Sequence, residues 1–295
     1  MKKDNMKYLL ISLRPKQWVK NFLVIAPLFF SKRMMDVSVI VRVALAFILF
    51  CMFSSSIYLL NDVLDKERDK RHPKKSKRPV AMGLVSLKVC LASSFLLLLL
   101  SVAGSFFLDE SFLFIGLAYW SINLLYSLYL KQLVIIDVMC IAIGFVLRVM
   151  AGGIAVGVPS SHWMLTTIIF LSLFLAFTKR KGELALFLKA ENGVSRPVLK
   201  NYNMQILDQF LVISATSSMM SYALFTLSDY ATIRFGSKNL VYTIPFVIFG
   251  IFRYFYLINF SNNDNENPVE MVFGDSLLVI NILLWLIASV FIIYS

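Results

Sequence analysis

The sequence has few charged residues and few of the residues that form covalent cross-links. Only 16% of its 295 residues are charged and 59% are hydrophobic, whereas ordinary globular chains have about 25% charged and about 45–50% apolar residues. The three cysteines, Cys51, Cys90 and Cys140, lie in apolar segments without metal-site spacing. A soluble fold of this length could not cover so much apolar surface. These shortages exclude a secreted disulfide scaffold, a disordered chain and a soluble nucleic-acid binder as first interpretations.

Acidic residues are scarcer than basic ones, 17 against 29, and the net charge is +12. In a membrane protein, such an excess usually marks loops on the cytoplasmic side. Most of the lysines and arginines fall on one side when the N-terminus is placed in the cytoplasm. The N-terminal segment lacks the apolar core of a signal peptide. We therefore predict a protein of the bacterial inner (cytoplasmic) membrane, with its N-terminus and active site cytoplasmic and no nucleic acid partner.

Long apolar runs recur along the chain. A spanning helix needs roughly 20 mostly apolar residues. The first candidate is interrupted by Lys20, Asn21 and Pro27. We find no linker, low-complexity tract or convincing repeat, so we predict an all-α polytopic membrane bundle of nine transmembrane helices, forming a single domain over residues 1–295. The nine predicted spans are approximately 17–35, 38–60, 87–108, 111–130, 134–156, 162–180, 206–228, 239–259 and 275–294.

An acidic motif stands at the end of the second predicted span, where Asn61 and Asp62 are followed by Asp65 and Asp69. If the helix continues, a rotation of 100° per residue places the three carboxylates on one face. Mg²⁺ prefers a few carboxylates combined with phosphate oxygens and water. The spacing therefore favours a metal site that holds a di- or triphosphate, the alternative being a solvated helix end with mixed charges.

Basic residues follow this motif directly and would complement phosphate charge. Pro73 and Pro79 predict that the helix breaks soon after Asp69, which leaves His72 on a loop as a positioning residue. The basic residues are Arg68, Lys70, Arg71, Lys74, Lys75, Lys77 and Arg78.

The acidic motif resembles the first aspartate-rich motif of the UbiA intramembrane prenyltransferase superfamily, whose members share nine spans. Six segments resemble the decaprenyl-phosphate phosphoribosyltransferase branch of that superfamily. The resemblance implies a UbiA-type fold, Mg²⁺ as cofactor, and transfer of 5-phosphoribose from phosphoribosyl pyrophosphate to a polyprenyl phosphate lipid with release of pyrophosphate. In mycobacteria and their relatives this reaction feeds cell-wall arabinan synthesis. The segments are 14–21, 69–79, 126–131, 144–148, 179–183 and 252–254.

A second acidic motif, normal for prenyltransferases of the superfamily, is replaced here by Lys179, Arg180 and Lys181 before Glu183. This departure suits a second phosphate held by cations, although Lys179 and Glu183 also have the spacing of a structural helix pair. We expect catalytic roles for Asp62, Asp65, Asp69 and Asp137. We expect substrate contacts from Arg14, Lys20, Asn21, Asn61, Arg71, His72, Lys75, Arg78, Tyr126, Lys131, Arg148, Lys179, Arg180 and Glu183.

Three points stay open at the level of the sequence. Arg148 lies in the fifth predicted span and has either a structural role or a contact with the lipid phosphate. The rival functions are a prenyltransferase that joins a prenyl diphosphate to an aromatic acceptor, and a transporter or flippase for a lipid-linked sugar. The number of metal ions, the lipid chain length and the oligomeric state, including a homo-oligomer, also stay open.

Overall fold

A computed structural model describes residues 3–71, 75–189, 197–260 and 268–295, and these ranges fold into helices joined by short connections. Short 3₁₀ helices cover Pro15–Val24, Lys75–Lys77, Leu130–Gln132, Pro197–Asn201 and Asn239–Thr243. The α-helices are α1 (Lys3–Ser12), α2 (Ala26–Phe29), α3 (Val37–Leu64), α4 (Lys66–Lys70), α5 (Leu87–Leu108), α6 (Glu110–Leu128), α7 (Ile136–Val156), α8 (His162–Lys189), α9 (Met204–Leu227), α10 (Asp229–Phe235), α11 (Ile244–Phe260), α12 (Pro268–Gly274) and α13 (Ser276–Tyr294).

Within the described ranges, eight helical segments are long and apolar enough to cross a membrane. Less than half of the apolar stretch is buried in every segment except Ile136–Val156, as expected for helices that face lipid. The all-α membrane architecture is therefore confirmed. The segments are Val37–Leu64, Leu87–Leu108, Glu110–Leu128, Ile136–Val156, His162–Leu188, Met204–Leu227, Asn239–Phe260 and Ser276–Tyr294.

The first predicted span, residues 17–35, differs from the prediction because it is not one long helix. It consists of the 3₁₀ helix Pro15–Val24 and the short helix α2. Pro15 and Pro27 each stand in the first turn of one of these helices, where a missing N–H is tolerated. Asn21, which lies between the two prolines in the sequence, is buried, and its amide donates to Ser54 Oγ of α3 at 3.3 Å. The two prolines and the buried amide thus divide the apolar run into two short pieces.

The chain forms two compact units, and the first contains residues 1–133 and 147–159. In this unit α3 packs against α5, α6, α1 and the 3₁₀ helix Pro15–Val24. Gly152 of α7 lies against the main-chain oxygen of Val24, where a Cβ atom would collide with it. Glycine therefore permits the close approach of α7 to the end of the 3₁₀ helix. The buried core includes Val43, Phe50, Phe53, Phe112 and Leu147.

Two arginines at the N-terminal end of α3 bind carbonyl oxygens at the C-terminal ends of other helices. Arg33 Nη1 donates to the Val156 carbonyl at 2.9 Å. Arg42 donates from Nε to the Ala155 carbonyl at 3.3 Å and from Nη2 to the Leu108 carbonyl at 3.4 Å. The last carbonyls of a helix have no partner within the helix. These cations satisfy them and complement the negative end of the helix dipole.

The second unit contains residues 134–146 and 160–295. In it α8 packs along α9, which also contacts α11, and α11 packs against α13. Side-chain caps fix two helix starts: Asn203 accepts from the N–H of Ile206, and Asp275 accepts from the N–H of Leu278. The buried core includes Val138, Phe174, Leu207, Leu211 and Tyr254.

Candidate active site

The acidic motif lies where α3 passes into α4. Helix α3 ends at Leu64, and Asp65 adopts a non-helical backbone conformation before α4 begins at Lys66. Asp62, in the last turn of α3, and Asp69, in α4, are both buried. The break at Asp65 therefore leaves Asp62 and Asp69 on a common side, while Asp65 lies at the junction itself.

Arg78 bridges these two buried carboxylates. Its Nη1 atom is 3.3 Å from Asp62 Oδ1 and 2.5 Å from Asp69 Oδ2. The chain just beyond Arg78 is anchored by Val80, which is fully buried beside Leu59. Burial lowers the pKa of the Arg78 guanidinium, and repulsion by Arg14 lowers it further. One cationic nitrogen therefore occupies the point at which two carboxylate oxygens converge.

Arg14 reaches Asp62 from the N-terminal segment. Its guanidinium binds Asp62 Oδ1 and lies 5.2 Å from the centre of the Tyr58 ring. The backbone of Arg14 is left-handed, with φ of 55°, which is uncommon for a residue other than glycine. This turn joins α1 to the 3₁₀ helix Pro15–Val24 and directs the arginine to the acidic motif. Strained backbone of this kind often marks functional sites.

Asp65 has a different cation from its two neighbours in the motif. Lys131 Nζ lies 2.7 Å from Asp65 Oδ1, and Arg68 Nη1 lies 3.9 Å from the same oxygen. Lys131 belongs to the 3₁₀ helix Leu130–Gln132 that follows α6, and its side chain is only 10% exposed. The three carboxylates thus contact four cations, Arg14, Arg68, Arg78 and Lys131, rather than sharing a single partner.

The donor atoms of Asp62 and Asp69 suit Mg²⁺. Both offer carboxylate oxygens to one point, now occupied by Arg78 Nη1. Mg²⁺ is commonly bound by one or two carboxylates together with phosphate oxygens and water. Within the described part of the chain, no group of three or more His, Cys, Asp or Glu side chains is arranged to hold a metal ion. Asp62 and Asp69 are therefore the two carboxylates that could contribute to a metal site here.

Arg148 is buried in the core of the first unit, close to the 3₁₀ helix that follows Arg14. Its Nε donates to Asn21 Oδ1 at 2.8 Å, and its Nη2 donates to Tyr119 Oη at 2.8 Å. The guanidinium also stacks over the Tyr119 ring, 4.7 Å from its centre. Of the two roles predicted for Arg148, this geometry favours the structural one, because Asn21 belongs to the 3₁₀ helix Pro15–Val24.

A second polar cluster lies in the second unit around Arg180. Arg180 Nε is 2.6 Å from Asp137 Oδ2, and its Nη1 is 2.6 Å from Glu183 Oε2. Tyr202 Oη donates to Asp137 Oδ1 at 3.0 Å and accepts from the N–H of Ile135 at 2.8 Å. Burial raises the pKa of Tyr202 to about 12. Arg180 and Asp137 are almost completely inaccessible to solvent, so this arginine is held by carboxylates of the protein itself.

The other residues predicted to contact substrate differ in their exposure. Arg71 is exposed just after α4, and Asn61 lies in the last turn of α3, where its main-chain carbonyl accepts a hydrogen bond from the N–H of Asp65. His72 lies outside the described residues. Half-buried positions are taken by Lys20 in the 3₁₀ helix Pro15–Val24, Lys75 in the 3₁₀ helix Lys75–Lys77, Tyr126 in α6 and Lys179 in α8.

The prediction from sequence missed three tyrosines that contact these charged groups. Tyr58 lies beneath Arg14, Tyr119 binds Arg148, and Tyr202 binds Asp137. Aromatic residues in or beside apolar helices are ordinarily interpreted as core residues. Tyr58 had a usable signal, because it precedes Asp62 by four residues and therefore lies on the same helix face. The other two have partners 29 and 65 residues away.

Comparisons with known proteins place these observations in a family. A model of the UbiA prenyltransferase family matches residues 24–282. The decaprenyl-phosphate phosphoribosyltransferase of Corynebacterium glutamicum is 35% identical, with 96% of this chain and 86% of that protein covered. The enzyme of the same name from Mycolicibacterium smegmatis is 33% identical, with 94% and 90% covered.

Solved structures share the fold. A UbiA homolog from Archaeoglobus fulgidus bound to GPP and Mg²⁺ aligns with a TM-score of 0.71 at 19% identity, covering 98% of this chain and all of that one. Digeranylgeranylglyceryl phosphate synthase aligns with a TM-score of 0.69 at 17% identity, covering 98% and 99%. At these identities the likeness concerns the fold alone.

Proposed function

Because the chain belongs to the UbiA prenyltransferase family of integral membrane proteins, we propose that it transfers 5-phosphoribose from phosphoribosyl pyrophosphate to a polyprenyl phosphate, releasing pyrophosphate. Relatives named decaprenyl-phosphate phosphoribosyltransferase, which match it over more than nine-tenths of its length, support this choice. In this proposal residues 1–295 act as one transferase domain at the cytoplasmic face of the inner membrane. The product serves cell-wall synthesis.

The observation that carries the proposal is the meeting of three aspartates with several cations at the end of α3. Asp62 and Asp69 converge on one point, and Arg14, Arg78 and Lys131 lie in direct contact with the motif. Such a site can receive a diphosphate, because carboxylates bind it through a metal and cations bind its remaining oxygens. An aspartate cluster without these cations would lack partners for a substrate of high negative charge.

Each group has a defined task in the proposed reaction. Asp62 and Asp69 would hold Mg²⁺, which supplies neutralisation of the leaving pyrophosphate. Arg14 and Arg78 bind phosphate oxygens, for which the planar guanidinium is well suited. Lys131 and Asp65 fix the junction between α3 and α4.

The proposed reaction depends on the positioning of the substrates more than on proton transfer. The bond between the anomeric carbon and the pyrophosphate oxygen breaks, and its electron pair leaves with pyrophosphate. An oxygen of the acceptor phosphate forms the new bond to that carbon. Because the acceptor is already anionic, no strong general base is needed, and catalysis rests on alignment and charge stabilisation.

The test incubates the purified chain with Mg²⁺, labelled phosphoribosyl pyrophosphate and a panel of polyprenyl phosphates. We expect label in an organic-extractable product, and we expect Asp62→Asn to lower the rate by at least about a hundredfold, since such charge-stabilising groups contribute factors of about 10²–10³. Asp109→Asn is the matched control. Asp109 only caps the first turn of α6, and asparagine caps a helix equally well.

Two outcomes would contradict the proposal. One is a folded Asp62→Asn protein with full transferase activity. The other is the absence of label from the organic extract in this assay, together with transfer from a labelled prenyl diphosphate to an aromatic acceptor. That result would identify a prenyltransferase instead.

A further inference from the structure

The cations of the acidic motif contact the same carboxylate oxygens that a metal would need. Arg78 Nη1 lies within 3.3 Å of both Asp62 Oδ1 and Asp69 Oδ2, and Arg14 binds the same Oδ1 atom. Lys131 binds Asp65 at 2.7 Å. All three negative side chains are therefore already paired with positive side chains within the protein.

This arrangement disfavours the uptake of a bare divalent cation. A metal at the convergence of Asp62 and Asp69 would stand beside the Arg78 guanidinium, and at such separations like charges repel strongly even at an effective dielectric constant of about 20. Mg²⁺ also gives up its hydration water reluctantly. A metal that arrives alone offers Arg78 no alternative anion.

A diphosphate offsets the repulsion between the metal and Arg78, because it supplies oxygens that bind both the metal and the arginines. Charge-assisted bonds from arginine to phosphate are short and often bidentate. Arg78 is 27% exposed at its side chain, whereas Asp62 is 2% exposed. The Arg78 side chain is thus accessible to a ligand from solvent, whereas the Asp62 side chain is buried.

We infer that Arg78 is an internal counter-ion of the metal site, so that the protein takes up the divalent cation together with a diphosphate group and not alone. On binding, Arg78 passes from Asp62 and Asp69 to oxygens of the diphosphate, and the two carboxylates become ligands of the metal. This inference rests on the proposed function, because it assumes that a metal and a diphosphate meet at this motif.

The experiment measures binding by isothermal titration calorimetry on the full chain in detergent micelles. The probes are MgCl₂ alone, a preformed complex of Mg²⁺ with inorganic pyrophosphate, and pyrophosphate with EDTA. For the wild type, we expect the complex to bind and Mg²⁺ alone to bind at least about tenfold more weakly, as the repulsion of a unit charge within about 4 Å implies.

Substitution of Arg78 should change the affinities for Mg²⁺ alone and for its pyrophosphate complex in opposite directions. In Arg78→Gln we expect Mg²⁺ alone to bind at least about tenfold more tightly than to the wild type, for the same electrostatic reason, and the pyrophosphate complex to bind more weakly. Arg78→Lys, which keeps the charge, should leave Mg²⁺ binding weak. Lys88→Gln removes one charge from an exposed position in the first turn of α5, away from the acidic motif in the sequence, and should leave both affinities unchanged.

The outcomes distinguish this inference from the proposed function. If the wild type binds neither Mg²⁺ nor its pyrophosphate complex, the proposed function fails with it. If the complex binds but Mg²⁺ alone binds equally tightly, or if Arg78→Gln does not change the affinity for Mg²⁺ alone, only the counter-ion inference is wrong. Should Arg78→Gln fail to fold, Arg14→Gln removes the other cation on Asp62 and carries the same expectation.

Discussion

At the residue scale, the buried charges are paired across long stretches of the chain. Asp62 meets Arg14 from 48 residues away, Asp65 meets Lys131 from 66, and Asp137 meets Arg180 from 43. Each pair joins segments that are far apart in the sequence, so the loss of one partner affects both the local charge and the contact between two parts of the chain. Removing one member of a buried pair is costly because the other charge remains.

The Asp137–Arg180 pair provides a test of this dependence. We expect Asp137→Asn to lower the free energy of unfolding by about 3–5 kcal/mol, the usual cost of breaking a buried ion pair. Denaturant titration in detergent micelles measures it. Asp208→Asn is the control, since Asp208 also binds a cation, Lys181, but is 54% exposed, and surface pairs contribute about 0–1 kcal/mol. Equal effects of the two substitutions would contradict the prediction.

A second residue-scale prediction concerns pH. The Arg253 guanidinium binds both carboxylate oxygens of Asp275, at 3.2 and 2.7 Å, and lowers the pKa of Asp275 below its usual value. A carboxyl whose pKa is lower in the folded state stabilises the fold above its unfolded pKa of about 3.9. This stabilisation is lost as the pH falls through the folded-state pKa.

Asp275→Asn isolates this charge, because asparagine still caps the start of α13. The variant should be less stable than the wild type at pH 6–7, and the difference should shrink as the pH falls below about 4, where the carboxyl loses its charge. Melting temperatures of both proteins between pH 7 and pH 3 measure the effect. A difference that stays constant over this range would argue against a role for the ion pair.

At the scale of single elements, the 3₁₀ helix Pro15–Val24 links the buried Arg148 cluster to the acidic motif. Arg14, which binds Asp62, directly precedes this helix, and Asn21 in its interior accepts a hydrogen bond from Arg148. The position of Arg14 therefore depends on a hydrogen bond formed elsewhere in the unit. Arg148 is a positioning residue in this description.

Asn21→Ala tests the link without altering any charge. An unsatisfied buried donor costs about 1–3 kcal/mol, and with the 3₁₀ helix released we expect transfer activity to fall about tenfold or more, as about 1.4 kcal/mol in a barrier implies. Binding of the Mg²⁺–pyrophosphate complex should weaken as well. Asn123→Ala is the matched control, because the Asn123 amide bonds only a carbonyl of its own helix, that of Tyr119. Unchanged activity and binding in Asn21→Ala would contradict the link.

The limits of prediction also show at this scale. Apolar composition identified the long helices because a spanning helix must be apolar over about 20 residues. It misjudged residues 17–35, because composition does not register that Asn21 finds partners on α3 and α7. The acidic spacing identified three carboxylates that lie near one another, but it did not reveal that the backbone break at Asp65 separates this residue from Asp62 and Asp69. Nor did it reveal the partners Arg14 and Lys131, which come from distant segments.

At the scale of the whole molecule, the distribution of charge predicts the orientation. The acidic motif lies at the C-terminal end of α3, directly before the basic residues of the following loop. Basic loops are retained on the cytoplasmic side. Inverted membrane vesicles should therefore transfer label from externally added phosphoribosyl pyrophosphate, which does not cross the bilayer.

Right-side-out vesicles from the same cells are the comparison. They should show little transfer until detergent makes them permeable, after which both preparations should reach the same rate. Greater activity in sealed right-side-out vesicles would place the site on the opposite face.

One native contact at the N-terminal end of α3 can form only after the end of α7 has been synthesised. Arg33 binds the carbonyl of Val156, which is added 123 residues later. At about 5–20 residues per second, the ribosome needs roughly 6–25 s to produce that acceptor. Until then this end of α3 lacks one of its native contacts. A nascent chain interrupted before the end of α7 therefore cannot complete the first unit, to which residues 147–159 belong.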